Sequence, residues 1–214
     1  MASRTQLILV RHGQTDSNAS GRFQGQQDVP LNQAGLAQAD AVAARLARFG
    51  AGHVVSSDLV RAVATAEAVA AASGLEVSVD ARLREIDVGS WQGRTGAEVA
   101  EENPWFEEAL ASGRDFRRSA TGETATEAGE RVREALAELA GRYRGETTVV
   151  VGHGLSLRVG LSLLVGLGFE GSFALSGLWN CSWTVLDHHG RWRLQSYNNV
   201  VGGHGGALPS PSSR

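Results

Sequence analysis

Leu7-Ile8-Leu9-Val10-Arg11-His12-Gly13-Gln14-Thr15-Asp16-Ser17-Asn18 is the stretch from which the rest of the chain can be read. Its four apolar residues make a run of strand length, too short for a helix and bounded by Gly13. Arg11 and His12 stand together where that run ends. Gly13 has no Cβ, so the backbone there can turn sharply and a ligand can come close. A cation, a histidine and open backbone at a strand end make a candidate anion site. The pattern returns downstream as Thr147-Thr148-Val149-Val150-Val151-Gly152-His153-Gly154. In an open α/β sheet, ligands bind in the crevice at the carboxyl ends of the strands. Two strand-end histidines therefore face one crevice if their strands are neighbours.

The segments between these two pieces alternate helix and strand. Asn32 reads as the N-cap of a helix to about Phe49, with Leu36, Ala39, Val42, Ala43 and Leu46 on its inner face. His53–Ser56 is a short strand, and Ser57 or Asp58 caps a second helix through about Ala72. Arg61 lies near the first turn of that helix, where the helix dipole favours an anion. Leu75–Val79 reads as an edge strand. Leu83–Gly93 is a long mixed loop of a kind that often carries function. Thr95 caps a helix over 96–102, and Pro104 opens another through Ala111. Thr124 or Thr126 starts an amphipathic helix through Arg142, and an apolar helix spans about Leu155–Val165. Asn180–Leu186 and Arg191–Tyr197 form a hairpin whose turn holds His188 and His189; adjacent histidines there lack metal-ligand spacing.

This order predicts an α/β fold: a three-layer sandwich with a mainly parallel central sheet flanked by helices, plus a C-terminal β-hairpin. Residues 1–200 read as a single domain, and 201–214, rich in Gly, Pro and Ser, as a flexible tail.

Composition narrows the function. A net charge of −3 over 214 residues speaks against nucleic acid or an anionic membrane as the main partner. No apolar run is long enough to span a bilayer, and no signal-peptide pattern precedes the first strand, so a cytoplasmic location is expected. The single cysteine, Cys181, leaves neither an intrachain disulfide nor a multi-cysteine metal site. All 20 basic residues are arginines. An anion site in this chain is therefore built from Arg, His and backbone N–H groups, and guanidinium suits phosphate because its planar fork binds two oxygens at once.

Phosphoryl transfer needs a nucleophile in line, cations around the equatorial oxygens and an acid for the leaving oxygen. His12 can attack phosphorus through a neutral ring nitrogen and form a covalent phosphohistidine. Arg11, Arg61 and His153 can offset the developing charge, with Asn18 as a neutral donor.

On these residues the chain resembles the histidine phosphatase, or phosphoglycerate mutase-like, superfamily. The matching pieces are Arg11-His12-Gly13, Ser56-Ser57-Asp58-Leu59-Val60-Arg61, Leu83-Arg84-Glu85 through Trp91-Gln92-Gly93, and Val151-Gly152-His153-Gly154. They follow the family's order over about residues 6–165. The resemblance implies a phosphohistidine at His12, phosphate binding by Arg11, Arg61 and His153, and proton transfer by Glu85. It also implies phosphate contacts from Asn18 and from the position of Gln24. Gly13 and Gly154 join those two as candidate substrate-binding residues. No metal and no organic cofactor is implied. Oligomeric state stays open, with a homodimer through the hairpin edge as one option.

The mutases of the family carry a Tyr-Tyr-Gly motif and a lysine-bearing segment after the catalytic glutamate, and both are missing here. The expected activity is therefore a metal-independent phosphomonoesterase acting on small phosphorylated metabolites. Within that branch the chain is similar to actinobacterial glucosyl-3-phosphoglycerate phosphatases at Asn180, Ser182-Trp183-Thr184 and Arg191-Trp192-Arg193-Leu194, as well as at the shared motifs. A phosphoglycerate mutase and a non-catalytic phosphate-binding regulatory module are the alternatives. The latter is disfavoured because His12 and Glu85 are both present.

Overall fold

A computed structural model describes residues 4–202. Residues 1–3 and most of the expected tail, 203–214, lie outside the described range. One six-stranded sheet organises the rest, in the order β3-β2-β4-β1-β5-β6. The strands are β1 Thr5–Arg11, β2 His53–Ser56, β3 Val77–Val79, β4 Thr147–Gly152, β5 Trp183–His188 and β6 Trp192–Asn199. β3, β2, β4 and β1 run parallel, whereas β5 and β6 are antiparallel to their neighbours. The predicted mixed architecture and C-terminal hairpin are both present.

Among the described residues eight α-helices join the strands: α1 Asp16–Ala19, α2 Gln33–Leu46, α3 Val60–Ser73, α4 Gly96–Glu102, α5 Phe106–Ala111, α6 Ala125–Arg142, α7 Gly154–Leu164 and α8 Gly168–Gly171. The period-two alternation of strand side chains separates the two faces of the sheet. Ile8 and Val10 of β1, with Val149 and Val151 of β4, pack with α2 and α3 on one face. Leu7, Leu9 and Val150 point the other way and pack with α6 and α7. A third cluster of Ile86, Val88, Trp91, Val99 and Phe106 forms away from the sheet, and all of these but Val99 wall a cavity.

Local capping chemistry agrees with the sequence at several ends and departs from it at others. Asn32, Thr95 and Thr124 cap α2, α4 and α6 through their side chains, and the last two close full capping boxes with Glu98 and Glu127. The start of α3 differs from expectation. Its N-cap is Leu59, and Ser57, two residues earlier, only accepts the Leu59 N–H at 3.3 Å. The Ser57 side chain is engaged instead with His153. Leu36 also departs: it is 52% exposed, because Gly35 takes the inward place against the loop after His12. The helix expected to reach Phe49 ends at Leu46 and tightens into a 3-10 turn before left-handed Gly50. α1 and α8, four residues each, lack the apolar periodicity that would have announced them.

Candidate active site

The β1–β4 pairing decides the site. Arg11 lies opposite Gly152 in a parallel register, so His12 and His153 leave the sheet together at its carboxyl edge. The His12 N–H donates to the Gly152 carbonyl at 3.0 Å, and the two imidazole rings lie 5.1 Å apart between centroids. Two histidines 141 positions apart in the sequence thus become neighbours, as the strand-end argument required.

His12 is held in one tautomer. Its Nδ1 lies 2.6 Å from the Gly13 carbonyl oxygen, which can only accept, so Nδ1 carries the proton. That leaves a lone pair on Nε2. Arg61 Nε sits 3.3 Å from this nitrogen and points its N–H at it. Burial, with Arg61 and then Arg11 nearby, holds His12 well below the usual histidine range. The ring is therefore neutral at working pH, the state a nucleophile needs.

Each cation is fixed by backbone carbonyls. Arg61 is only 1% exposed and also donates to the carbonyls of Gln27 at 2.7 Å and Gly25 at 2.8 Å. Burial brings its guanidinium down to about 10, which still leaves it charged at neutral pH. Gly25 has φ +53, and a Cβ there would meet Val88 Cγ2 at 2.7 Å, so the turn that presents this carbonyl needs glycine. Arg11 donates to the Leu178 carbonyl, while its buried Nε has no partner among the described residues. Gly154 lets that guanidinium pass close: a Cβ on Gly154 would lie 3.3 Å from Arg11 Nε.

His153 is fully buried behind His12. Its Nε2 lies 2.9 Å from Ser57 Oγ, and its Nδ1 has no partner among the described residues. Burial, Arg61 and His12 hold it well below the usual histidine range, so it offers a dipole rather than a second positive charge. The Asn18 amide oxygen accepts from the Thr15 N–H at 3.1 Å and from Asn180 Nδ2 at 3.2 Å, which leaves its NH2 as the donor to offer. Gln24 is similar, with its oxygen taken by Thr15 Oγ1 at 2.9 Å. Gly13 is placed differently. Its N–H is committed to Thr65 Oγ1 at 3.1 Å and its carbonyl to His12, so it orients the His12 ring rather than meeting a ligand.

Glu85 comes from the long loop yet is tied to α7. Its Oε1 accepts the Ser156 N–H at 2.9 Å and its Oε2 the Leu155 N–H at 3.2 Å, two of the free donors of the helix N-terminus. Arg131 of α6 holds the loop from behind. It donates to the carbonyls of Arg82, Arg84 and Glu85 at 2.8, 2.6 and 2.8 Å, and pairs with Glu123 at 2.8 Å. His12, Arg11, Arg61, Asn18, Gln24, Glu85 and Gly154 all line one cavity of about 380 Å³, within the range of small-molecule sites. Among the described residues, no three His, Cys, Asp or Glu side chains are grouped to hold a metal.

Sequence reasoning missed Ser57, Asn180 and Arg158 as site residues. Asn180 Nδ2 reaches the His12 carbonyl at 3.0 Å. Arg158 did carry a signal, as the lone charge in the apolar run Leu155-Ser156-Leu157-Arg158-Val159-Gly160-Leu161.

Comparison with known proteins gives the chain's family. Residues 7–200 match the family described as the histidine phosphatase superfamily (branch 1). A protein of Salmonella arizonae named "Probable phosphoglycerate mutase GpmB" is 36% identical over 208 residues, covering 97% of this chain and 96% of its own. The mycobacterial glucosyl-3-phosphoglycerate phosphatase in complex with VO3 superposes with a TM-score of 0.83 at 38% identity, over 92% of this chain and 99% of that one. Phosphoserine phosphatase of Entamoeba histolytica, in complex with 3-phosphoglyceric acid, has a TM-score of 0.82 at 29% identity, over 92% and 98%. With a family match over nearly its whole length and with phosphatases as structural neighbours, the chain belongs to the histidine phosphatase superfamily.

Proposed function

We propose that this protein is a metal-independent phosphomonoesterase that acts through a phosphohistidine on small phosphorylated metabolites, with glucosyl-3-phosphoglycerate and related sugar or glycerate phosphates as the candidate substrates. The observation that carries the reading is the unprotonated Nε2 of a neutral, buried His12, with Arg61 donating to it, in a cavity that Glu85 also lines. Nε2 attacks phosphorus while Arg11, Arg61, Asn18 and Gln24 hold the phosphoryl oxygens. Glu85 gives a proton to the departing oxygen. It then takes one from the water that breaks the P–N bond, which returns His12 and releases phosphate.

The intermediate tests this. Rapid quenching during turnover should trap one phosphoryl group that survives alkali and is lost in acid, because protonation of the ring makes imidazole a good leaving group. Peptide mapping should place it on Arg11-His12-Gly13, and His12→Ala should abolish it. Label on His153, or alkali-labile label on Asp or Glu, would overturn the mechanism. Activity that vanishes with EDTA and returns with a divalent ion would overturn metal independence.

The names of the curated relatives favour a second reading, a phosphoglycerate mutase. With 3-phosphoglycerate as substrate, a phosphatase releases inorganic phosphate, whereas a mutase accumulates 2-phosphoglycerate without it. The absence of lysine from the whole chain, including the segment after Glu85, supports the phosphatase.

A further inference from the structure

Between the 3-10 turn Ser172–Ala174 and β5, residues 175–182 form neither helix nor strand, yet Gly177, Leu178, Trp179 and Asn180 line the cavity. The Leu178 carbonyl takes the one hydrogen bond that the Arg11 guanidinium makes among the described residues. Asn180 Nδ2 reaches both the His12 carbonyl at 3.0 Å and the Asn18 amide oxygen at 3.2 Å. Two residues of the phosphate end are therefore placed by a segment that has no ladder or helix of its own to hold it.

β6 holds that segment from outside the cavity. The β5–β6 register gains a residue on β6 between its pairings with Trp183 and Val185, which makes a bulge. Asn198 lies in it, buried, with φ +54, a left-handed conformation that asparagine tolerates better than most side chains. Its N–H donates to Thr184 Oγ1 at 3.1 Å, which pins the bulge to β5. Its side chain turns wholly to the loop. Oδ1 accepts the Trp179 N–H at 2.9 Å, and Nδ2 donates to the Gly177 carbonyl at 2.9 Å and to Ser176 Oγ at 3.2 Å. The Tyr197 hydroxyl adds one bond, to the Ser176 carbonyl. Asn199, the next residue, spends its amide within the hairpin instead, on the Trp183 carbonyl at 2.9 Å and Ser196 Oγ at 2.8 Å. Neighbouring asparagines thus do different work: one closes the hairpin and the other fixes the loop.

We propose that Asn198 is a positioning residue for phosphoryl transfer: it fixes loop 175–182 and, through Leu178 and Asn180, sets Arg11 and Asn18 against the phosphoryl oxygens. The proposal rests on the reading of Arg11 and Asn18 as phosphate ligands. Arg11 is the sensitive member, because its buried Nε has no partner to keep the fork in place if the Leu178 carbonyl moves. A misplacement of about 1 Å in such a group costs about a hundredfold in rate.

The test compares Asn198→Gly, which keeps the left-handed backbone and removes only the amide, with Asn199→Ala, which removes hairpin bonds of the same kind. Under conditions where thermal midpoints show both variants folded, Asn198→Gly should lower kcat/KM for p-nitrophenyl phosphate about ten- to a hundredfold, and Asn199→Ala should stay within about threefold. Hydrogen exchange should quicken across residues 176–180 in the first variant and not in the second. Calorimetry with inorganic phosphate should show weaker binding by Asn198→Gly than by wild type. That affinity is read without turnover, so it separates failure of the positioning role from failure of the phosphatase reading. In an Arg11→Ala background the further loss from Asn198→Gly should shrink, because its main route is already gone. Should Asn198→Gly not fold, Asn198→Asp, which keeps the acceptor for the Trp179 N–H and loses both donors, takes its place with the same expectation. Equal losses in the Asn198 and Asn199 variants, or a loss undiminished in the Arg11→Ala background, would overturn the positioning role. Wild-type protein that neither binds phosphate nor hydrolyses the ester would overturn it together with the reading it rests on.

Discussion

Replacing Arg61 with alanine is the perturbation whose cost the structure defines best. The side chain is 1% exposed and makes three contacts: the His12 ring nitrogen at 3.3 Å and the carbonyls of Gln27 and Gly25 at 2.7 and 2.8 Å. Loss of one preorganised donor to a transition-state oxygen costs about 10²–10³ in kcat, or about 2.7–4 kcal/mol. The buried Gly25 carbonyl also loses its partner, at about 1–3 kcal/mol, and the part-buried Gln27 carbonyl loses one that water can replace. The second effect falls on stability, a sizeable fraction of the roughly 5–15 kcal/mol of a typical domain. The assay is therefore paired: kcat/KM on p-nitrophenyl phosphate, and a urea midpoint that confirms folding under assay conditions. Arg61→Lys keeps a charge but not the fork, so it should recover part of the stability and little of the rate. Arg82→Ala and Arg94→Ala are the controls. Arg82 pairs with Asp80 and Glu138, and Arg94 with Glu102, both away from the cavity, so each variant should stay within about threefold of wild type. Folded Arg61→Ala with activity near wild type, or equal losses in all three variants, would refute the placement of the phosphate.

Other outcomes follow from the same contacts. His12 and His153 are both held well below the ordinary histidine value near 6.5, so their ring signals in NMR should not titrate at or above it in the free protein. The unfolded chain then binds more protons than the folded one below that value. The stability these two rings contribute is complete above about pH 6.5 and is lost as pH falls through the window toward their folded values, which denaturant midpoints at pH 7.5 and 5.5 can check. Glu85→Gln should slow hydrolysis of alkyl phosphates more than that of p-nitrophenyl phosphate, whose leaving group departs without a proton; equal slowing would remove Glu85 from the acid role. Two glycines should answer alanine in opposite directions. A Cβ on Gly35 would lie 2.0 Å from the Gln14 carbonyl oxygen, so Gly35→Ala should lower Tm and disturb the loop after His12. Gly141 in α6 has nothing within 4 Å of its would-be Cβ, and Gly141→Ala should add about 0.5 kcal/mol of stability.

Local chemistry made much of this protein legible from its residues alone. The alternation of Leu7 and Leu9 with Ile8 and Val10 announces a strand buried on both faces, and the helices between strands announce a layered α/β fold. Asn32, Thr95 and Thr124 mark helix starts because a capping side chain acts within three residues of itself. His12 and His153 could be assigned to one crevice because both lie one residue past a parallel strand. Their register was another matter. Only the β1–β4 pairing puts Arg11 opposite Gly152 and the two rings side by side, tilted at 59° to each other.

Tertiary structure alone decided the protonation of that site and the shape of its far end. The His12 tautomer comes from a neighbouring carbonyl, but its neutrality comes from burial among Arg61 and Arg11, two charges supplied by different elements. The hydroxyl of Ser57, an expected helix cap, went to His153, because hydrogen bonds across the fold compete with those along the chain. Arg158 on α7 and Arg118 on the loop before α6 line one cavity, which residues of the third apolar cluster also wall. Sequence marks a residue's chemistry and its place along a helix or strand. Which distant charges it faces, and with what left unpaired, is fixed by the packing of elements that are far apart along the chain.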